Sequence, residues 1–204
     1  MSSTRIPPSS QRTIRYYAHS AGEYSRSVSP RPPRSVAATL RRIVKHVPPG
    51  GLILEVGSGP GRDADFVESL GVTVRRTDAT RAFLNAQRAR GRHVERLNVL
   101  TDPLGGPYDA ILAICVLIHI ERTQTDRVLG KIWKALRPGG ALLAAVWEGK
   151  GEKAGDYHMT YWSRAAFAAS LAAAGLSVEW DSRRVDSDGD VCLTFLARRE
   201  RGAV

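Results

Sequence analysis

The chain has 204 residues, 43% of them hydrophobic and 25% charged, the composition of one globular domain with a sizeable core. No apolar run approaches the ~20 residues needed to span a bilayer, and the N-terminus is polar and basic, unlike a secretory signal. Cys115 and Cys192 are the two cysteines; they lack metal-ligand spacing and make no disulfide framework, so no metal, no membrane and a cytoplasmic location are expected. The net charge of +10 is concentrated early, where the first 50 residues carry nine Lys/Arg against the single acid Glu23. An anionic partner and a solubilising arm of an Arg-rich chain both account for it.

Residues 1–12 contain two Pro and four Ser without periodicity and read as a flexible basic arm. Residues 13–25, with Tyr16, Tyr17 and Tyr24, are expected to form a short helix that Ser29-Pro30-Arg31-Pro32-Pro33 ends. A second helix is expected over 34–46, where Val36, Leu40, Ile43 and Val44 recur at helical spacing. Strand and helix then alternate. Strands are expected at 52–56, 72–76, 93–97, 110–114 and 141–147, with helices at 62–70, 80–90 and 123–136, several closed by glycine. A helix over 163–174 with Ser163 as its N-cap follows. Residues 176–184 and 191–198 then flank the turn Asp186-Ser187-Asp188-Gly189-Asp190 as a hairpin. This order predicts an α/β fold: a Rossmann-like three-layer α/β/α sandwich, its sheet mostly parallel with an antiparallel edge hairpin. The whole of 1–204 reads as one domain, with N-terminal helices over 13–50 and a ligand-binding core over 51–198.

The most informative stretch is Glu55-Val56-Gly57-Ser58-Gly59-Pro60-Gly61-Arg62. A strand entering alternating glycines and then a helix lets the backbone turn sharply and approach a ligand. Asp78 ends the next strand, 21 residues beyond Gly57, where a carboxylate accepts ribose hydroxyls or caps the following helix. A dinucleotide loop wants its third glycine where Arg62 stands, and Glu55 would repel pyrophosphate. The same carboxylate suits a ligand with a positive centre or an amino group. Ser58 lacks the Gly-x-Ser-x-Gly frame of a nucleophile elbow.

At these residues the chain resembles the class I S-adenosylmethionine-dependent methyltransferases. Glu55-x-Gly57-x-Gly59-x-Gly61 looks like their first motif and Asp78-Ala79-Thr80 like their ribose-binding segment. Asn98-Val99 stands where the family places residues beside the adenine. The run 108–120 looks like the fourth strand and the segment after it, and Leu136-Arg137-Pro138-Gly139-Gly140 like the turn before the fifth. The resemblance implies S-adenosyl-L-methionine as cofactor. Its contacts would be Glu55, Gly57, Ser58, Gly59, Gly61 and Arg62, then Asp78 and Ala79, Asn98 and Val99, with Ile114 and Cys115 at the end of the fourth strand. Many members carry Asp where this chain has Asn98; an amide still donates to or accepts from adenine. In similar small methyltransferases an N-terminal helix covers the cofactor, and Tyr17 and Tyr24 are the tyrosines to touch it here; plain packing against the sheet is the alternative.

The resemblance leaves the acceptor open. His119, after the fourth strand, is the candidate general base, although family members often have a packing His there. Glu148, His158 and Tyr161 and the glycine-rich loop 149–155 are further acceptor-side candidates. The segment Ile114-Cys115-Val116-Leu117 lacks the Asn/Asp-Pro-Pro-aromatic run of base-amino methyltransferases, and Cys115 lacks the preceding Pro of C5 chemistry. Methyl transfer to an O or N atom of a small molecule or peptide is therefore the leading expectation, by a monomer or homodimer. Action on RNA or an RNA-associated protein, guided by the basic segment, is the second. A cofactor-binding module without turnover is the third.

Overall fold

The alternation of apolar runs and amphipathic segments from Leu52 onward builds a seven-stranded sheet, as seen in a computed structural model that describes residues 6–186 and 189–201. Its strands are β1 (Leu52–Val56), β2 (Thr73–Asp78), β3 (Glu95–Arg96), β4 (Tyr108–Ile114), β5 (Leu136–Trp147), β8 (Leu176–Val185) and β9 (Val191–Arg199). Their spatial order is β3-β2-β1-β4-β5-β9-β8. Pairing is parallel from β3 to β5 and antiparallel for β5–β9 and β9–β8. The order reverses between β1 and β4, which opens a crevice at the C-terminal strand ends.

Successive strand residues face opposite helix layers. Ile53, Ala110, Leu112, Ala141 and Leu143 pack with α2 (Arg34–Val44) and α3 (Arg62–Glu68). Leu54, Ile111, Ala113, Leu142 and Ala144 pack with α5 (Arg122–Ala135) and α6 (Arg164–Ala173). The expected three layers are thus realised, each fully buried Leu or Ile contributing about 1.5–3 kcal/mol. Helix α4 (Arg81–Ala89) follows β2, and a single 3-10 turn, η1 (Leu117–His119), follows β4. Ser163 does cap α6, its hydroxyl accepting from the Ala166 N–H at 3.1 Å.

Three expectations need correction. Residues 8–12 are not part of a flexible arm. Helix α1 spans Pro8–Ser27, because a proline at the first helical position has no N–H to lose and its φ is already helical; residues 1–5 lie outside the described residues. The loop 149–155 is tied down: β6 (Glu152–Ala154) pairs antiparallel with β7 (His158–Thr160). Strand β5 starts earlier than 141, since Leu136 already pairs with Tyr108 before an irregularity at the Pro-Gly-Gly turn. In the 186–190 turn, Asp186 N–H donates to the Asp190 carbonyl at 2.9 Å; Ser187 and Asp188 lie outside the described residues.

Candidate functional site

The glycine loop leaves β1 with Gly57, Gly59 and Gly61 at φ of 67°, 52° and 87°, the left-handed region that only glycine enters freely. Gly61 has a packing reason too. A Cβ there would stand 2.7 Å from the Gln87 side chain and 2.9 Å from Arg76. Gly59 is different: a Cβ would meet only the Tyr24 ring, at 3.9 Å, so its face is left open for a ligand.

Asp78 closes β2 and is buried. One carboxylate oxygen accepts from Gly59 N–H at 2.8 Å and the other from Thr80 N–H at 2.7 Å. The capping and ligand readings are therefore compatible, since the capping carboxylate also borders the cavity. Burial raises the Asp78 pKa, and the backbone hydrogen bonds oppose that. Glu55 is buried as well, and its Oε2 has no partner. Burial, then the nearby charge of Asp63, pushes its pKa up to about 8, so the carboxyl is mostly protonated at neutral pH.

Gly57, Gly59 and Asp78 border a cavity of about 360 Å³ at the C-terminal strand ends, within the ~300–1,000 Å³ range of small-ligand sites. Of the residues singled out in the sequence, Tyr17, Tyr24, Gly57, Gly59, Asp78, Ala79, Asn98, Val99, Ile114, Cys115 and His119 line it. Glu55, Ser58 and Arg62 line a smaller adjoining recess of about 120 Å³, which shares Gly57, Gly59, Tyr24 and Cys115 with the main cavity. Gly61 lines neither, and Arg62 is paired with Asp63 at 2.7 Å. Asn98 Oδ1 accepts from Leu100 N–H at 3.0 Å, which leaves the side-chain NH2 as its free donor. Glu148, His158 and Tyr161 do not reach the cavity lining. Glu148 is bound to Arg183, His158 bonds Thr160, and Tyr161 lies beside Gly149 and under Lys153.

Helix α1 roofs the cavity with Ser10, Thr13, Ile14, Tyr17 and Tyr24. It is fixed at three points: Ser9 Oγ to Glu121 at 2.5 Å, Thr13 Oγ1 accepting from His158 N–H at 3.0 Å, and Tyr17 Oη to His119 Nε2 at 3.1 Å. The other ring nitrogen, Nδ1, lies 2.9 Å from the His158 carbonyl. A carbonyl only accepts, so in the neutral ring Nδ1 carries the proton and Nε2 accepts from the Tyr17 hydroxyl. Burial brings the His119 pKa down to about 4, which keeps the ring neutral, while burial raises that of Tyr17.

Residues 54–142 match the family model described as a methyltransferase domain. No curated protein matches. Among solved structures, a 1,6-didemethyltoxoflavin-N1-methyltransferase from Burkholderia thailandensis is 18% identical at a TM-score of 0.74, covering 98% of this chain and 93% of that one. The CcbJ methyltransferase from Streptomyces caelestis is 18% identical at 0.72, covering 94% and 99%. The [4+2]-cyclase SpnF is 15% identical at 0.74, covering 99% and 100%.

Residues 54–142 thus resemble a methyltransferase domain, and the whole chain shares the fold of these solved structures. Such domains take their methyl group from S-adenosylmethionine. The matched stretch includes the glycine loop, Asp78, Asn98, Cys115 and His119, and leaves out α1 and everything after residue 142. The further lining residues come from both parts: Ser10, Thr13, Ile14, Trp147, Tyr157 and Met159 lie outside the matched stretch, and Val56, Thr80, Phe83, Leu97, Leu100, Val116, Ile118 and Ile120 lie within it. Tyr17, Tyr24 and Phe83 meet edge-on or tilted with centroids 5.7–6.0 Å apart. The only signal for this cluster was the tyrosine content of α1.

Proposed function

We propose that this methyltransferase binds S-adenosylmethionine in the roofed cavity and transfers its methyl group to an O or N atom of a small-molecule or peptide acceptor. The observation that carries the reading is the buried, unpartnered Glu55 Oε2 in the recess that adjoins an apolar cavity bordered by Asp78. An amino group beside Glu55 satisfies that oxygen, and the ligand of this family has one. Asp78 offers its carboxylate to the ribose hydroxyls, Gly59 lets the backbone approach while Gly57 makes room for Val116, and Asn98 donates its NH2 to the adenine beside Val99. Ala79, Ile114 and Cys115 form the walls, Tyr17 and Tyr24 the roof. Ser58 and Arg62 act from the recess, and Gly61 keeps the loop packed on α4.

When bound, the cofactor supplies a methyl group already activated on a sulfonium. The chain's own task is alignment and exclusion of water, which the α1 roof performs. His119 is the only imidazole among the described lining residues. Its Nε2 is held by the Tyr17 hydroxyl, so it positions Tyr17 first and takes an acceptor proton only when Tyr17 yields that lone pair.

No Lys or Arg lines the main cavity among the described residues, which favours a small acceptor over RNA. Thermal unfolding tests both. S-adenosylhomocysteine at a hundredfold excess over its Kd adds about 2.7 kcal/mol, a rise in Tm of roughly 5–11 °C for a chain of this size. A short RNA at equal concentration is expected to leave Tm unchanged. A shift with RNA and none with S-adenosylhomocysteine would contradict the proposal.

A further inference from the structure

A second cavity, of about 430 Å³, opens on the α2 side of the sheet, at the same C-terminal strand edge. Val36 and Leu40 of α2, Leu143 and Ala145 of β5 and Trp180 of β8 give it apolar walls. Its charged lining residues are Arg42, Arg62, Arg183 and Arg184, with no Asp or Glu among the described ones. Two of these arginines are neutralised in place, Arg62 by Asp63 and Arg183 by Glu148, each at 2.7 Å. The other two are not. Arg42 stacks on Trp180 with its guanidinium 4.5 Å from a ring centroid, and Arg184 stands beside Cys192. Neither forms an ion pair with a carboxylate among the described residues.

This cavity abuts the first. Ile114 and Cys115 line both, and Arg62 joins it to the Glu55 recess. Cys115 sits at φ 55°, the one non-glycine residue with positive φ among the described residues, a conformation that persists only where surrounding structure enforces it and that clusters at ligand sites. Arg42, exposed and stacked on Trp180, and Arg184, held beside the Cys192 thiol, flank an apolar space without a carboxylate partner among the described residues, an arrangement that suits one planar anion with an apolar body. A carboxylate meets guanidinium N–H groups in bidentate geometry, and Arg is the residue suited to it.

We propose that this cavity holds the carboxylate-bearing end of the methyl acceptor, with the carboxylate between Arg42 and Arg184 and the apolar body against Val36, Leu143 and Trp180. The reacting atom of the acceptor then points past Cys115 toward the methyl donor. The assignment rests on the methyltransferase reading of the main cavity. It narrows the acceptor class to small organic acids and explains why the cofactor cavity itself needs no cation.

The test is calorimetric titration of the S-adenosylhomocysteine-loaded protein with benzoate, with the neutral isostere benzamide and with phenyl phosphate. Benzoate is expected to bind at least tenfold tighter than benzamide. Arg42→Met and Arg184→Met, which keep most of the aliphatic stem, are each expected to weaken benzoate about tenfold, as loss of a charge-assisted hydrogen bond does. The affinity for S-adenosylhomocysteine, measured first on each variant, is expected to stay within twofold and so reports correct folding. Equal binding of benzoate and benzamide, no benzoate binding at millimolar concentration, or benzoate displacing S-adenosylhomocysteine overturns the proposal. Arginine-dependent phenyl phosphate binding tighter than benzoate overturns the carboxylate assignment. Arginine-dependent benzoate binding in a protein that does not bind S-adenosylhomocysteine keeps the anion site and removes the methyltransferase reading beneath it.

Discussion

Glu55 shows how one buried carboxyl couples stability to ligand binding. Its pKa is pushed up to about 8 from an ordinary 4.5. Between those values the folded protein holds a proton that the unfolded chain releases, so this group's contribution falls as pH rises from 4.5 through 8. A cationic amino group arriving beside Glu55 reverses the preference and ionises it. At pH 7 such a group is mostly protonated, so cofactor binding should release a proton. Calorimetry in buffers of different ionisation enthalpy counts that proton. The expected result is net proton release by the wild type that Glu55→Gln lacks, and the variant's stability should also lose its decline between pH 4.5 and 8; an equal proton count in both would contradict the role given to Glu55. At this scale the placement of Gly57, Gly59, Asp78 and Asn98 around one cavity was legible in the sequence, because the strand ends and turns that set it are local. Phe83, Trp147, Tyr157 and Met159 were not, because only tertiary packing brings them to the cavity.

The elements divide in the same way. β1 spans the residues that its apolar run marked, Leu52–Val56, bounded by glycines on both sides. The start of α1 was hidden by a proline pair and serines that read as coil, although Pro8 at its first position is compatible with a helix. The ribbon of β6 and β7 was hidden by three glycines that read as loop. Its value to the site is indirect: β7 supplies the His158 N–H that holds Thr13 of α1 and the His158 carbonyl that orients His119. The α6 cap gives the cleanest element-scale test. Ser163 accepts from Ala166 N–H in an exposed position, so Ser163→Ala should lower unfolding free energy by about 1 kcal/mol with unchanged S-adenosylhomocysteine affinity. Denaturant titration measures it, and a loss of affinity alongside would show that α6 also shapes the site.

For the whole molecule, the sequence predicted the three layers and the antiparallel edge hairpin, since the period of the apolar pattern sets both. Net charge was less informative. The +10 balance fitted a solubilising arm of an Arg-rich chain better than an anionic partner, and the fold divides it among tasks. Arg41 and Arg42 stack on Phe66 and Trp180, Arg76 is buried against Asp65 and Glu68, and the main cavity stays free of cations among its described lining residues. Charge counts could not locate these arginines, because pairing and stacking are decided by the register of the sheet and the placement of α2. The central claim is that the roofed cavity is a nucleoside site read by Asp78. Calorimetric titration with S-adenosylmethionine, repeated on Asp78→Ala, tests it most directly. The account predicts micromolar binding by the wild type and a loss of at least tenfold in the variant; undiminished binding by Asp78→Ala, or no binding by the wild type, would contradict it.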